Sequence, residues 1–179
     1  MINIIKLEQK DIPNYISFGI KNAPCILYGI HDKPFAWICK EELCNYDYLK
    51  RNNIPYINID GNGSTIITAE GDIDFGFFGS KEFCLEQFDK LSNYISKLLT
   101  NGKFLNNDFM YDGNKYGSAT KIEFGDITYI GVHISNNIDK ELINNICLKT
   151  IYKIPEKMPI PLTESDVMFI FKENNLWVI

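Results

Sequence analysis

The chain has 179 residues, of which 45% are hydrophobic and 23% charged, and its formal net charge is −5. This length suits a single domain with one core, and the acidic balance argues against extended contact with nucleic acid. No apolar run approaches the roughly 20 residues that a membrane span requires.

The cysteines indicate the cellular compartment. Their number is odd and no Cys-x-x-Cys spacing occurs, so neither a closed disulfide framework nor a zinc site is expected. Nothing resembles a signal peptide. We therefore expect a cytoplasmic protein with reduced thiols at Cys25, Cys39, Cys44, Cys84 and Cys147.

Hydrophobic periodicity predicts a strand-rich first half. The pattern indicates a short helix over 42–52 and six strands, over 2–7, 25–28, 35–39, 54–57, 65–69 and 73–78. A short segment interrupted by proline, over 8–16, stands between the first two strands.

The second half begins with the strongest helical pattern, over 81–100, which Ser80 can cap. Strands over 109–111, 121–124 and 127–134 follow, then a helix over 139–148, an extended proline-rich stretch over 154–161 and a last helix over 163–174. Strands separated by segregated helices predict an α+β fold, with a mixed, mainly antiparallel sheet and helices packed on one face.

Two segments rich in small residues are candidates for ligand contact. Residues 60–64 join two strands, and Asp112-Gly113 is typical of a hairpin turn that delivers Lys115 into a small-residue loop. A lysine held in this way suits a phosphate or a carboxylate. Both segments also fit ordinary turns, so the pattern alone leaves the two interpretations open.

From Pro24 to about Asp139 the chain resembles the lipoate-protein ligase, biotin-protein ligase and octanoyl transferase superfamily. The similarity is carried by blocks that occur in the family's order. They are Ile26-Leu27-Tyr28-Gly29, Asn53-Ile54-Pro55-Tyr56-Ile57, Gly71-Asp72-Ile73-Asp74-Phe75 and the run from Asn107 to Lys115 with Asp112-Gly113.

The resemblance implies a biotin/lipoate ligase-like fold and a set of site residues. Lys115 would be catalytic, stabilising charge on the acyl carboxylate and the adenylate phosphate. Nucleotide contacts would fall on Asn107, Asp108, Gly117, Ser118 and Ala119, and contacts with the acyl chain on Gly61, Asn62, Gly63 and Ser64.

It also implies substrates and partners. A lipoate-type ligase uses ATP with magnesium to activate lipoate or a related carboxylic acid, and then passes the acyl group to a lysine on a small lipoyl-type carrier domain. A separate C-terminal accessory domain is not expected within residues 1–179, so a separate accessory subunit is an expected partner.

Departures from the family pattern keep other functions open. Arg51, the single arginine of the chain, does not stand where the family carries an arginine pair before its glycine loop. A non-catalytic relative that binds a partner protein or an acyl-adenylate is therefore an alternative. A further alternative is an octanoyl or acyl transferase that uses Cys147, although Cys147 falls on the apolar side of a predicted helix.

The remaining single residues favour structural roles. His31 falls in a predicted turn, where exposure to solvent is expected, and His133 on an alternating strand fits a structural histidine better than a ligand contact. Trp37 is expected to pack in the core, with an acyl pocket as its other possible neighbour. No protein-bound metal is expected.

Overall fold

The computed structural model describes residues 2–59, 65–98, 103–105, 108–111, 113–135, 140–148, 165–166 and 177–178. Two sheets and four α-helices make up this part of the chain. Predictions for the glycine-bearing segment 60–64, for the tail 154–161 and for most of the helix over 163–174 lie outside the described residues.

The larger sheet has eight strands among the described residues. In spatial order they are β11 (Trp177–Val178), β1 (Asn3–Leu7), β2 (Cys25–Ile30), β6 (Ile73–Gly79), β10 (Ile127–Ile134), β9 (Asn114–Phe124), β8 (Asp108–Tyr111) and β7 (Lys103–Leu105). Strand β1 runs parallel to β2 and β11, and the other pairs are antiparallel.

A smaller sheet carries β3 (Phe35–Ile38) between β4 (Tyr56–Asn58) and β5 (Thr65–Thr68). The helices are α1 (Tyr15–Asn22), α2 (Tyr46–Arg51), α3 (Lys81–Leu98) and α4 (Lys140–Ile146), with short 3-10 helices over Gln9–Asn14 and Glu41–Leu43. Helices α2 and α4 enclose a small core with β3 through Leu49, Leu142 and Ile146.

The two faces of the larger sheet have different coverings. Helix α3 packs Cys84, Leu91 and Ile95 against one face, which presents Phe75 and Phe77. The opposite face presents Leu27, Phe78 and Tyr129, and it is covered by Tyr15 of α1 and by Trp37 of the smaller sheet. The candidate site described below lies on this second face.

The α+β class and the mainly antiparallel sheet are confirmed, and most predicted strands are present. Ser80 caps α3, because its Oγ accepts the Phe83 N–H at 3.1 Å. The predicted helix over 42–52 is wrong as a single element: the chain forms a 3-10 turn and then α2, which Asn45 caps through the Tyr48 N–H. Helix α1 and strand β7 were not predicted.

The small-residue loop predicted after Lys115 is wrong. Residues 117–119 lie inside β9, hydrogen-bonded to neighbours on both sides. A methyl group on Gly117 would overlap the His133 carbonyl oxygen of β10, so glycine here permits the close approach of two strands.

Gly117→Ala should therefore destabilise the fold by about 1–3 kcal/mol, because the added carbon meets rigid backbone. Gly29→Ala is the matched control, since its added carbon meets Leu7 and Ile12 at ordinary contact distances of 3.5 and 3.7 Å. Urea unfolding measures both variants. Equal stabilities for the two would contradict the close strand approach at Gly117.

Candidate active site

A row of residues crosses the second face of the larger sheet. Cross-strand pairing aligns Gly29 with Asp74, Asp74 with His133, His133 with Ser118, and Ser118 with Asp108. Residues paired directly across strands point to the same face. Four adjacent strands, β6, β10, β9 and β8, therefore bring Asp74, His133, Ser118 and Asp108 into one polar row.

A β-bulge in β9 adds Lys115 to this face. Gly117 pairs with Phe109, but the next residue of β8, Met110, pairs with Lys115, so Tyr116 is the extra residue. Without the bulge, alternation would place Lys115 on the face opposite Ser118. The bulge reverses the alternation, buries Tyr116 in the α3 core and aligns Lys115 with Asp108 and Ser118.

Lys115 forms an ion pair at the end of the row. Its Nζ lies 2.8 Å from Asp108 Oδ1, and the two side chains are 24% and 44% exposed. The ammonium group is thus neither buried nor fully solvated. Its positive charge also reaches His133, whose pKa it pushes down.

The centre of the row is a buried network of two histidines and two aspartates. Asp74 Oδ1 lies 2.8 Å from His133 Nδ1, and Asp74 Oδ2 contacts His31 Nε2. His133 Nε2 lies 3.1 Å from Ser135 Oγ and 3.6 Å from Asp72 Oδ2.

Charge pairing governs the protonation of this network. Burial alone would raise the pKa of Asp74, but His31 and His133 outweigh it and hold that pKa well below its usual range. Burial alone would lower the pKa of His133, but Asp74 and Asp72 outweigh it and raise that pKa. Asp74 is therefore ionised, and His133 binds its second proton more tightly than an exposed histidine does.

A small cavity, partly open to solvent, lies beside the row; its empty space together with the adjoining solvent amounts to about 320 Å³. Its walls are largely aromatic and aliphatic, with Asp74, Ser118, Thr120 and His133 as the polar groups, and Tyr15, Trp37, Ile59, Phe75, Tyr129, Gly131 and Val132 as the remainder.

Two features shape the apolar part of this cavity. Gly131 leaves room for the Tyr129 ring, whose hydroxyl a methyl group at position 131 would overlap. The Trp37 indole N–H is buried and finds no acceptor among the described residues. The aromatic rings that line the cavity meet edge-to-face, with the Tyr15 ring at 82° to Trp37 and at 78° to Tyr129.

The structure brings together part of the predicted site. Lys115, Asp108 and Ser118 share the row, and Ser118 lines the cavity. Gly117 and Ala119 are placed by alternation on the other face, where Ala119 packs against the α3 core. Asn107, Gly61, Asn62, Gly63 and Ser64 lie outside the described residues.

The structure also corrects the expectation for His31 and locates Cys147. His31 is not solvated: it is 1% exposed and contacts Asp74. Cys147 follows α4, and its backbone pairs with that of Cys44 without a disulfide, away from the residues that line the cavity. Burial raises the pKa of the Cys147 thiol to about 11. Trp37 packs in the core and also lines the cavity.

Sequence reasoning missed the buried network. Its members come from three distant parts of the chain: His31, the close pair Asp72 and Asp74, and His133. His31 was expected to be exposed and His133 to be structural. Alternation did place Asp74 opposite Phe75 and Phe77, but only the sheet order reveals that His133 is its direct neighbour.

Within the described residues there is neither a cluster of metal ligands nor a membrane-spanning helix. No group of three or more histidine, cysteine, aspartate or glutamate side chains is arranged there to hold a metal ion. In the same part of the chain, no helix is both long and apolar enough to cross a bilayer.

Comparison with solved structures identifies the fold. Plasmodium falciparum LipL1, solved with lipoate, superposes with a TM-score of 0.77 at 14% identity, over 97% of this chain and 59% of LipL1. The bipartite lipoate-protein ligase of Thermoplasma acidophilum, solved in a study of the ligase and its E2 lipoyl domain, gives 0.72 at 15% identity, over 99% of this chain and 87% of that one.

A lipoate-protein ligase A bound with ATP gives a TM-score of 0.69 at 16% identity, over 99% of this chain and 89% of that protein. No protein-family model matches the sequence, and no curated protein matches it. The chain has the fold of the lipoate-protein ligases, which confirms the fold that the sequence resemblance implied, and it spans about three-fifths of the length of LipL1.

The buried network predicts a pH dependence of stability. The raised pKa of His133 gives stability that is fully present below the unfolded-state pKa of about 6.5 and is lost as pH rises through the folded-state value. The lowered pKa of Asp74 gives stability that is present above about pH 3.9 and is lost as pH falls toward the folded-state value.

His133→Gln should therefore flatten the decline of the melting temperature as pH rises above about 6.5, where the stabilisation from His133 is lost. Lys121→Ala, on the exposed part of β9, controls for a lost surface charge. Differential scanning calorimetry gives the two profiles. An unchanged decline in His133→Gln would show that His133 does not titrate as the network requires.

Proposed function

We propose that this chain is an acyl-protein ligase of the lipoate type. It activates lipoate or a related carboxylic acid with ATP, as an acyl-adenylate, and transfers the acyl group to a lysine on a lipoyl-type carrier domain. The observation that carries the proposal is the bulge at Tyr116, which turns the one lysine of the row toward the face that holds the cavity.

The acyl tail would lie against the aromatic part of the cavity. Tyr15, Trp37 and Tyr129 surround it with apolar ring faces, and burial of an apolar tail there is favourable by about 25 cal/mol per Å² of apolar surface. The carboxyl end would then point along the row toward Ser118 and Lys115.

Lys115 would stabilise the negative charge that develops in both steps of the reaction. As the carboxylate attacks the α-phosphate of ATP, negative charge builds on the phosphoryl oxygens, and as the carrier lysine attacks the mixed anhydride, charge moves to the carbonyl oxygen. A fixed ammonium group stabilises both, since lysine is a compact charge with no demand for one planar geometry. Asp108 would hold the ammonium group in place until the ligand arrives.

The magnesium ion is proposed to arrive with the nucleotide. Mg²⁺ usually binds through substrate phosphates and one or two carboxylates. Asp108, half-exposed beside Lys115, is the carboxylate that could reach it. Asn107 keeps its proposed nucleotide contact, and Gly61, Asn62, Gly63 and Ser64 keep their proposed contacts with the acyl chain.

The carrier and the accessory subunit belong to the same proposal. The Thermoplasma acidophilum structure pairs a bipartite ligase with an E2 lipoyl domain, which supports both a lipoyl-type substrate and a second subunit for this chain. A single domain over 1–179 and a cytoplasmic location remain predictions that accompany it.

A second function is favoured by the position of Arg51. The single arginine lies exposed at the end of α2, where its Nε donates to the Asp47 carbonyl of the same helix, so no described guanidinium group reaches the row. A relative that binds a partner protein or an acyl-adenylate without turnover would need no such group. Transfer through Cys147 is less favoured, because that thiol has a raised pKa and does not line the cavity.

Lys115→Ala should reduce adenylate formation about 100- to 1,000-fold, the usual cost of removing one positioned charge. Exchange of pyrophosphate into ATP, measured with lipoate, octanoate or biotin, reports the step. The fold should survive, since a partly exposed ion pair contributes only about 0.2–1 kcal/mol.

Lys121→Ala is the matched control, because Lys121 stands on the same strand and pairs only with Glu123 at 3.6 Å. Its exchange rate should equal that of the wild type. If the wild type shows no exchange with any of the three acids, the ligase proposal fails. Calorimetric binding of an acyl-adenylate that does not depend on Lys115 would then support the non-catalytic function.

A further inference from the structure

His133 stands between a carboxylate and a hydroxyl group. Its Nδ1 lies 2.8 Å from Asp74 Oδ1 and its Nε2 lies 3.1 Å from Ser135 Oγ. Nδ1 therefore faces the Asp74 carboxylate, and Nε2 faces the Ser135 hydroxyl group, with the Asp72 carboxylate farther away at 3.6 Å. The proposed ligase reaction uses neither contact.

This order of groups is the one that activates a serine. A carboxylate that accepts the Nδ1–H fixes the neutral tautomer in which Nε2 carries a lone pair, and that lone pair can take the serine proton. Such constellations arise on unrelated folds and are recognised by geometry and roles. Both distances here lie within hydrogen-bond reach.

The surroundings hold the three groups in place. Asp74 is fixed from its other oxygen by His31, which is itself buried and hydrogen-bonded to Gln9 at 3.1 Å. Ser135 follows β10 directly, and its backbone N–H donates to the Tyr116 carbonyl of the bulge at 2.8 Å. Ser135 is only partly buried, so a reagent can approach its hydroxyl group.

We propose that Ser135 is a nucleophile that accepts an acyl group from an ester or thioester, with His133 as its base and Asp74 as the residue that orients His133. This activity needs no ATP and goes beyond the proposed ligation. The cavity beside His133 would take the tail of the acyl group.

The reaction has two balanced steps. Ser135 Oγ loses its proton to His133 Nε2 as it bonds to the acyl carbon, the bond from that carbon to the leaving oxygen or sulfur breaks, and the leaving group takes the proton. Water then attacks the acyl-serine ester and gives its proton to His133, and Ser135 recovers that proton as the carboxylic acid leaves.

The charge state of His133 sets the pH dependence of this activity. Asp74 and Asp72 raise the pKa of His133, Lys115 opposes them, and His31 shares Asp74. Only neutral His133 can accept the serine proton. The reactivity of Ser135 should therefore rise as the pH passes the raised pKa of His133, which lies above about 6.5.

A fluorophosphonate probe tests the proposal, with peptide mass mapping to locate the adduct. The wild type should be labelled at Ser135, faster at higher pH, and Ser135→Ala should not be labelled there. Ser17→Ala, which removes an exposed serine hydroxyl of α1, should react like the wild type. Asp74→Asn should slow labelling by up to about 10⁴-fold, as the wrong histidine tautomer does in serine enzymes.

Ser135→Cys provides a readout that does not depend on stabilisation of an oxyanion. A thiol beside His133 should react with iodoacetamide at about pH 6, where an ordinary thiol is protonated. Burial raises the pKa of Cys25, Cys84 and Cys147 to about 11, so these thiols stay unreactive. Absence of probe at Ser135 at every pH, together with an ordinary titration of the new thiol, would overturn the proposal.

Pyrophosphate exchange separates this result from the ligase proposal. If Ser135 is labelled but no pyrophosphate exchange occurs, the ligase proposal is wrong and the Ser135 proposal is supported. If exchange occurs without labelling of Ser135 and without activation of the new thiol, the Ser135 proposal is wrong and the ligase proposal is supported.

Discussion

The extra residue in strand β9 is the constraint on which the candidate site depends. Tyr116 shifts the alternation of side chains by one, so Lys115 shares a face with Ser118 and His133, while Tyr116 itself enters the α3 core. The lysine is thereby fixed by strand pairing and by core packing, and does not rely on a mobile loop. Its ammonium group already binds one carboxylate oxygen, that of Asp108. A carboxylate or phosphate of a ligand could bind the same ammonium group.

The second constraint is the ionised Asp74. A buried carboxylate is costly unless it is paired, and here it has a histidine on either side. The same pairing that makes this charge tolerable in the core orients the His133 ring and places its Nε2 near Ser135. The contacts that stabilise the buried Asp74 carboxylate therefore also orient His133 for a reaction at Ser135. The cavity opens directly beside these contacts.

Local rules captured much of the fold. Alternation located the strands around Phe75 and Tyr129, and Ser80 marked the start of α3, because these signals lie within a few residues of one another. The site was predictable only where a single contiguous block carries it, as with Asp108 and Lys115. The bulge was missed because Gly117 and Ala119 read as loop residues, and the Asp74–His133 pair was missed because it depends on which strands become neighbours. Sequence resemblance indicated the ligase fold despite identities of 14–16% with the solved structures compared above.

The most direct test of the ligase account is a crystal structure with a non-hydrolysable acyl-adenylate analogue. The account predicts Lys115 Nζ at hydrogen-bond distance, about 2.7–3.2 Å, from the oxygens that join the acyl group to the nucleotide. The acyl tail should lie between Trp37 and Tyr129. An analogue bound away from this face, with Lys115 still paired to Asp108 and the aromatic cavity empty, would contradict it.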